Sequence, residues 1–144
     1  MSKFGSCLCG ALTYTLAEAP KEVGACHCGM CRKWSGGIFL ALEVPAGGVE
    51  IKGAENLTAY ASSEWAERVF CKTCGSSIFY RVTAPGAHQG TCYFGAGTLD
   101  DLGDVPLTGE LFIDEKPKGY SFAEKTQQMS TDEVMAMFAA SAQS

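Results

Sequence analysis

The sequence has little positive charge and no long apolar run. Lysine and arginine together number 11 among 144 residues, against 16 aspartates and glutamates, which gives a formal net charge of −5. Because binding to the phosphates of nucleic acid requires a basic face, we expect no nucleic-acid partner. No apolar stretch approaches the length needed to cross a bilayer, so we expect no membrane-spanning segment.

The first residues also lack the features of a secretory signal. Residues 1–6 contain no basic segment followed by an apolar run and a cleavage site. We therefore expect a cytoplasmic protein whose thiols are kept reduced. No linker, repeat or low-complexity stretch divides the chain, and a hydrophobic content of 47% is enough for one core. Residues 1–144 are interpreted as a single domain.

Cysteine, by contrast, is abundant. In a reducing compartment clustered cysteines are typically metal ligands, and the alternative is the disulfide framework of a secreted scaffold. On an extended strand, residues two apart point to the same side, so a Cys-x-Cys pair can direct two sulfurs at one ion. Seven of the eight cysteines form three clusters: Cys7 and Cys9; Cys26, Cys28 and Cys31; Cys71 and Cys74.

Seven sulfurs divide into one closed four-sulfur site, which is typical of structural zinc, and one three-sulfur site with an open position, which is typical of catalytic zinc. A closed site joining the first and third clusters would tie the N-terminus to the middle of the chain. Metal binding there would contribute about 10 kcal/mol to folding. The second cluster is compact enough to hold an ion by itself and to leave a position for water or a substrate thiol.

Short alternations of apolar and polar residues, separated by glycine and proline, predict a β-rich domain. One helix is predicted at the C-terminus, where Ser130 and Glu133 form a capping box and Met129 is placed to contact Val134. We expect the apolar face of this helix to pack on the sheet, and the alternative is a partner-binding element. The predicted strands are residues 11–16, 24–28, 38–44, 49–52, 67–71, 77–82, 91–94 and 110–114.

Three motifs carry a resemblance to a known family. They are GSCLCGA at residues 5–11, CHCGMCRKWSG at residues 26–36 and RVFCKTCGS at residues 68–76, followed by GTLDD at residues 97–101. In these motifs the chain, from about residue 5 to residue 120, resembles the glutathione-dependent formaldehyde-activating enzyme family, also called the CENP-V/GFA domain. The resemblance implies a mainly β, Mss4-like complex of short coiled antiparallel β-sheets with a short C-terminal helix, stabilised by zinc.

The resemblance also implies an activity. The named family reaction joins formaldehyde to the thiol of glutathione, and in reverse it is carbon-sulfur lyase chemistry. We therefore expect a zinc-dependent carbon-sulfur lyase that acts on a thiol, such as glutathione, and a small aldehyde. Two zinc ions are implied for each chain. The structural ion is implied on Cys7, Cys9, Cys71 and Cys74, and the catalytic ion on Cys26, Cys28 and Cys31.

The chain departs from the family pattern near its last predicted strand. Where the family often has a histidine and a tryptophan, this sequence has Glu110 and Gly119. If these positions line the pocket, the substrate differs from that of the named reaction. Two other functions remain open at this point: a zinc-binding interaction module without catalysis, and a redox-sensing cluster of three thiolates.

Five further residues are candidates for a role near the metal. Arg32 and Lys33 directly follow the three-cysteine cluster and are predicted to offset its negative charge or to bind a substrate carboxylate, with plain solvent exposure as the equal alternative. His27 lies between two ligands and is expected to point away from the ion. His88 is interpreted as a surface-loop residue, with a base or fourth ligand as the alternative. Cys92 is expected in the core.

Overall fold

The computed structural model describes residues 3–142, which form eleven strands in two sheets and two helices. One sheet has three strands in the order β1-β2-β5, and the other has eight in the order β11-β10-β3-β4-β9-β8-β7-β6. The elements are β1 Phe4–Ser6, β2 Thr13–Leu16, β3 Val23–Cys26, α1 Gly29–Ser35, β4 Phe39–Val44, β5 Val49–Lys52, β6 Leu57–Ala61, β7 Ala66–Cys71, β8 Ser77–Val82, β9 Cys92–Gly95, β10 Leu107–Leu111, β11 Gln127–Met129 and α2 Thr131–Ala142.

The predicted mainly β class is confirmed, and all eight predicted strands are present. Strands 49–52 and 77–82 have the predicted ends, and the other six have shifted ends. Three short strands, β1, β6 and β11, were not predicted. Pairing is antiparallel from β3 through β6 along the larger sheet. At its other end β10 pairs in parallel with both β3 and β11, an arrangement that the alternation pattern does not predict because alternation reports burial and not strand direction.

One face of the eight-stranded sheet carries the main core. Tyr14 from β2 packs on Phe94 with ring centroids 4.5 Å apart, and Phe94 stacks on Phe79 at 4.7 Å. All three rings are buried. Gly5 in β1 allows this packing, because a Cβ there would lie 2.3 Å from the Tyr14 ring. The smaller sheet is thus held against the larger one through an aromatic contact.

The opposite face carries a second, smaller cluster of buried side chains. Successive residues on a strand point to opposite faces, so Tyr80 and Tyr93 lie behind the main-core residues Phe79 and Phe94. Tyr80 and Tyr93 are register partners and stack with centroids 4.6 Å apart. Cys26 and two other cysteines belong to this cluster. The three-cysteine group therefore lies on the face of the sheet away from the main core.

Helix α2 begins as the sequence predicts. The backbone N–H of Ser130 donates to the carboxylate of Glu133 at 3.1 Å, and the backbone N–H of Glu133 donates to the Ser130 hydroxyl at 3.3 Å. Its packing differs from the expectation of a buried apolar face. Val134 is buried, whereas Met135 and Met137 are 49% and 41% exposed. The helix thus lies over the molecule with most of its apolar residues outside the core.

No helix among residues 3–142 is long and apolar enough to span a membrane.

Candidate metal centres and active-site cavity

The first candidate metal-binding group joins the turn after β1 to the end of β7 and the turn that follows β7. Its four sulfurs lie within 4.8 Å of one another, and the Cys9 sulfur is 3.6 Å from that of Cys7 and 3.8 Å from that of Cys71. Two sulfurs bound tetrahedrally to one zinc ion at about 2.3 Å are about 3.8 Å apart. The four donors thus fit a closed zinc site. The group is Cys7, Cys9, Cys71 and Cys74, as the sequence predicts.

These sulfurs converge by turns and not by strand alternation. Strand β1 ends at Ser6, and Cys7 and Cys9 lie in the turn that follows, where the backbone N–H of Gly10 donates to the Cys7 carbonyl at 3.2 Å. The expectation that each Cys-x-Cys pair lies on an extended strand is therefore wrong here. The Ser76 hydroxyl lies 3.2 Å from the Cys74 sulfur, and its hydrogen bond lowers the pKa of Cys74 to about 5. A low pKa favours the thiolate form that binds metal.

The second group is built from one short segment at the end of β3. Cys26 is the last residue of this strand, Cys28 caps helix α1, and Cys31 lies in its first turn. The Cys28 sulfur accepts a hydrogen bond from the backbone N–H of Cys31 at 3.4 Å. Predicting a strand over residues 24–28 was wrong at its end, because Cys28 leaves the strand to cap a helix. At the other end of α1, Gly36 takes the left-handed conformation.

The three sulfurs of this group, on Cys26, Cys28 and Cys31, lie within 4.8 Å of one another. The sulfurs of Cys26 and Cys28 are 3.5 Å apart, close to the spacing expected around zinc. Hydrogen bonds from the thiols of Cys26 and Cys31 hold the pKa of Cys28 well below its ordinary value. Cys26 and Cys31 are buried residues, Cys28 is half-buried, and all three line a cavity. The described residues bring no fourth side-chain ligand into this group.

A buried arginine stands beside the three sulfurs. Arg68 on β7 is 5% exposed, and its guanidinium donates to the Cys31 sulfur at 3.6 Å. The guanidinium carbon lies 5.2 Å from the centre of the Trp34 ring and 4.9 Å from that of Tyr80, so the cation is held between two aromatic faces. A buried charge needs a partner, and a cluster of thiolates supplies one.

The three-cysteine group opens into a cavity of about 690 Å³. The floor contains the three cysteines with Arg68, Tyr80 and Tyr93, side chains that share one face of the sheet. Parts of helix α2 and the loop of residues 84–88 form the opposite wall. A cavity of this size with a few polar groups at its floor has the dimensions of a small-molecule site.

His27 points away from the three sulfurs, in the direction that the sequence predicts. The His27 side chain is buried, and its Nε2 lies 2.8 Å from Oε1 of Glu110. Glu110 also accepts hydrogen bonds from Thr126 and Gln128. The His27 backbone N–H donates to the Leu111 carbonyl at 3.1 Å. Glu110 thus holds His27 in place on the side away from the three sulfurs, and it does not line the cavity.

The remaining predicted residues are placed as follows. Arg32 and Lys33 are exposed on α1 and do not line the cavity. Gly29 lines the cavity, and Arg32 Nη2 is 3.9 Å from the position that a Cβ on Gly29 would take. Their role in binding a substrate stays a prediction. His88 lines the cavity wall in the loop before β9 and contacts the Phe138 ring. Cys92 is buried, and all eight cysteines are free thiols, without the disulfides of the alternative framework.

Sequence reasoning gave no role to Arg68 or to the walls of the cavity. The signal for Arg68 was available, because a charged residue occupies a position in β7 between buried Ala66 and Val69. A lone arginine in a strand does not reveal its partner, however. The pairing of Arg68 with Tyr80 in the sheet register, and the approach of α1 from another part of the chain, bring the cation to Cys31.

Comparison with known proteins agrees with this geometry. The family model described as glutathione-dependent formaldehyde-activating enzyme matches residues 2–115. The chain belongs to this family. An uncharacterized lyase of Schizosaccharomyces pombe is 34% identical over 132 residues, covering 91% of this chain and 93% of the relative. Together, the family and this name support a lyase activity.

Two further relatives extend the comparison. A Halomonas elongata protein provisionally named as a glutathione-dependent formaldehyde-activating enzyme is 28% identical over 131 residues, which is 85% of this chain and 82% of that protein. The crystal structure of a Rhodobacter sphaeroides protein superposes with a TM-score of 0.56 at 27% identity and covers 73% of this chain and 99% of that one. The fold is therefore shared with a solved structure.

Proposed function

We propose that the protein is a zinc-dependent carbon-sulfur lyase that makes and breaks the adduct of a thiol and a small aldehyde. Glutathione and formaldehyde, named in the family and in one relative, are the reference pair. The observation that supports this function most is the position of the group formed by Cys26, Cys28 and Cys31. All three cysteines line a cavity of small-molecule size.

The two cysteine groups suit different roles for zinc. Four sulfurs complete a tetrahedral site and leave no position for a substrate, so we assign the group of Cys7, Cys9, Cys71 and Cys74 to a structural ion. The three sulfurs on the cavity floor leave one position open. When bound there, zinc supplies a positive charge that holds a thiol as thiolate or polarises an aldehyde oxygen.

The chain itself contributes charge balance and shielding from water. Three thiolates exceed the charge of one zinc ion, and the Arg68 guanidinium next to Cys31 offsets the excess. Burial of Cys26, Cys31 and Arg68 lowers the local dielectric, which strengthens each of these interactions. Arg32 and Lys33 are proposed contacts for a thiol long enough to reach from the cavity to the exposed side of α1.

The overall reaction is an addition without oxidation or reduction. A bond forms between the thiol sulfur and the carbonyl carbon, the carbonyl π electrons move to oxygen, and the thiol proton ends on that oxygen. Cleavage of the adduct reverses each change. Only the thiol proton changes its position, and the sulfur supplies the electron pair of the new bond. A site that stabilises the thiolate and directs it at the carbonyl carbon is therefore sufficient.

The experiment follows the exchange between formaldehyde, glutathione and their adduct by NMR, with and without enzyme. We expect the wild-type protein to accelerate the exchange beyond its spontaneous rate and Cys28→Ser to lose the acceleration while keeping its circular dichroism spectrum. Cys92→Ala is the matched control, because Cys92 lies outside both metal-binding groups. Equal acceleration by Cys28→Ser and wild type would contradict the proposal. A wild type with two zinc ions and no acceleration would favour the non-catalytic module.

A further inference from the structure

The walls of the cavity above the three cysteines are far more apolar than formaldehyde requires. The cavity holds about 690 Å³, which leaves room, beside the thiol, for an aldehyde much larger than formaldehyde with its two non-hydrogen atoms. Aromatic side chains line it from five separate parts of the chain. They are Trp65, Tyr80, Tyr93, Phe112 and Phe138.

Three of the nine exposed large apolar side chains among the described residues line this cavity and form its apolar rim. They are Met30, Trp65 and Met135, which are 39%, 47% and 49% exposed. Each leaves apolar surface in contact with water, which is unfavourable unless another molecule covers it. The three belong to separate parts of the fold, namely α1, the turn before β7 and α2.

The backbone at Phe112 is also adapted to present an aromatic ring. Phe112 is the one residue other than glycine with a positive φ, at 58°, among residues 3–142. A left-handed conformation is unfavourable for a residue with a Cβ. Phe112 nevertheless lines the cavity and packs against the cluster that contains Cys26. Strain at a non-glycine residue of a binding site is often retained for the position of its side chain.

Charged side chains give little support to an anionic aldehyde. Arg68 is the one arginine or lysine among the residues that line the cavity within the described chain, and its guanidinium is engaged with the Cys31 sulfur and two rings. Glu115 lines the wall and would repel a carboxylate. A carboxylate that leaves water without a free cation pays a large desolvation cost. The walls thus disfavour an acid whose carboxylate must enter the cavity, such as glyoxylate, whereas the carboxylates of glutathione are proposed to lie outside it, at Arg32 and Lys33.

From the walls, the exposed apolar rim and the charge distribution, we propose that the aldehyde half of the substrate carries an uncharged apolar group. This group is aromatic or an alkyl chain of about six carbons, since a few such carbons are needed to cover the rim. The inference rests on the proposed lyase function and changes only the aldehyde. The chemistry stays the same: the thiol sulfur bonds to the carbonyl carbon and the thiol proton passes to the oxygen.

The test measures kcat/KM for adduct formation with one thiol, glutathione, and four aldehydes: formaldehyde, glyoxylate, hexanal and phenylacetaldehyde. We expect hexanal and phenylacetaldehyde to exceed formaldehyde by about tenfold or more, because each buried apolar carbon adds to binding in the transition state. Glyoxylate should be the poorest. Saturation-transfer NMR with 2-phenylethanol, an unreactive analogue, gives a second readout that is independent of turnover.

A matched pair of variants on α2 tests whether the preference for apolar aldehydes depends on the cavity wall. Met135 lines the cavity, whereas Met137 is similarly exposed on the same helix but does not. We expect Met135→Asp to lower the ratio of kcat/KM for phenylacetaldehyde over formaldehyde about tenfold and to weaken 2-phenylethanol binding. Met137→Asp should leave both unchanged. Both variants place the same charge on the helix, so a general effect on α2 would appear in both.

The outcomes separate this inference from the function on which it rests. Acceleration that is greatest with formaldehyde and absent in Cys28→Ser would leave the lyase function intact and overturn the apolar specificity. No acceleration with any aldehyde would overturn the lyase function and the specificity together. Equal effects of Met135→Asp and Met137→Asp on the ratio would also contradict the proposed wall.

Discussion

The two cysteine groups use the same ligand chemistry in opposite structural settings. The four-cysteine group joins Cys9 to Cys71, which are 62 positions apart, and lies near the surface, with Cys9 exposed and Cys74 half-buried. The three-cysteine group comes from six consecutive residues, from Cys26 to Cys31, and lies beside a buried arginine. One group closes a long loop and the other opens into a cavity.

This difference in position is the basis for the two roles proposed for zinc. A site that joins distant segments adds its binding free energy to folding, because the unfolded chain does not hold the four sulfurs together. A local site adds less, since its segment is already short. For the proposed catalytic ion, the local site offers three sulfurs without a fourth side-chain ligand among the described residues, a neighbouring cation and a cavity.

The largest effect is expected from the loss of a ligand in the four-cysteine group. Cys71→Ser removes a buried ligand whose strand lies in the main core. Since structural zinc contributes about 10 kcal/mol and a domain is stable by about 5–15 kcal/mol, we expect the variant to be largely unfolded. Circular dichroism and thermal melting give the measurement, with Cys28→Ser as the control that keeps the fold. A Cys71→Ser protein that melts like the wild type would contradict the structural role.

The next largest effect is expected from Arg68, the buried cation beside the three-cysteine group. Arg68→Met removes the charge beside Cys31 but keeps much of the side chain, so we expect zinc affinity at the three-cysteine group to fall about 10- to 100-fold. Chelator competition measures this affinity. Arg81→Met is the matched control, because Arg81 lies on the neighbouring strand, is half-exposed and pairs with Glu67. Equal zinc affinity in Arg68→Met and wild type would show that Arg68 acts in packing alone.

A smaller effect is expected from Glu110, which binds His27 on the side away from the three sulfurs. Glu110→Gln keeps the shape of the side chain but weakens the bond to His27 and changes those to Thr126 and Gln128. We expect the free energy of unfolding to fall by about 2 kcal/mol, since buried hydrogen bonds to a charged group are strong. Urea unfolding of the zinc-loaded protein measures it. Glu43→Gln, at an exposed strand position, should change stability by less than about 0.5 kcal/mol, and an equal loss in both would refute the assignment.

The smallest effect lies at the start of α2, which borders the cavity. The Asp114 carboxylate accepts hydrogen bonds from the Thr131 backbone N–H at 2.7 Å and from its hydroxyl at 3.0 Å, and the backbone bond lowers the pKa of Asp114. A carboxylate with a lowered pKa stabilises the fold above its unfolded pKa, and the contribution is lost as the pH falls through the lower, folded value. We therefore expect Asp114→Asn to speed amide exchange in the first turn of α2 at neutral pH.

The difference between Asp114→Asn and the wild type should shrink as the pH falls below about 3.8, the ordinary pKa of the group. Hydrogen exchange by mass spectrometry at several pH values checks this. A difference that stays constant down to pH 2 would mean that the amide change perturbs the helix by another route.

The sequence predicts the ligands better than the surroundings of the ligands. Close spacing indicates the three-cysteine group, whereas the joining of the first and third clusters is implied by the resemblance to the family. Helix α1 is not predicted, because its seven residues start with Gly29 and its cap is the sulfur of Cys28 and not a common capping residue. The cavity walls come from β8, β9, α2 and several loops, and only the tertiary fold brings these parts together.

The departures from the family pattern illustrate the same limit. Glu110 and Gly119 are candidates for an altered pocket by sequence, yet neither lines the cavity. Glu110 instead binds His27 from behind. The sequence does not show on which face of a sheet a side chain lies when strand direction and register are unknown. Glu110 is an example, because its strand β10 pairs in parallel with β3.

The central claim is that the second group is a separate, open zinc site, and zinc content per chain tests it most directly. Native mass spectrometry of reduced wild type, Cys28→Ser and Cys92→Ala should give two, one and two zinc ions, with the fold retained in all three. One zinc ion in both wild type and Cys28→Ser would contradict the account, because the three cysteines on the cavity floor would then hold no metal.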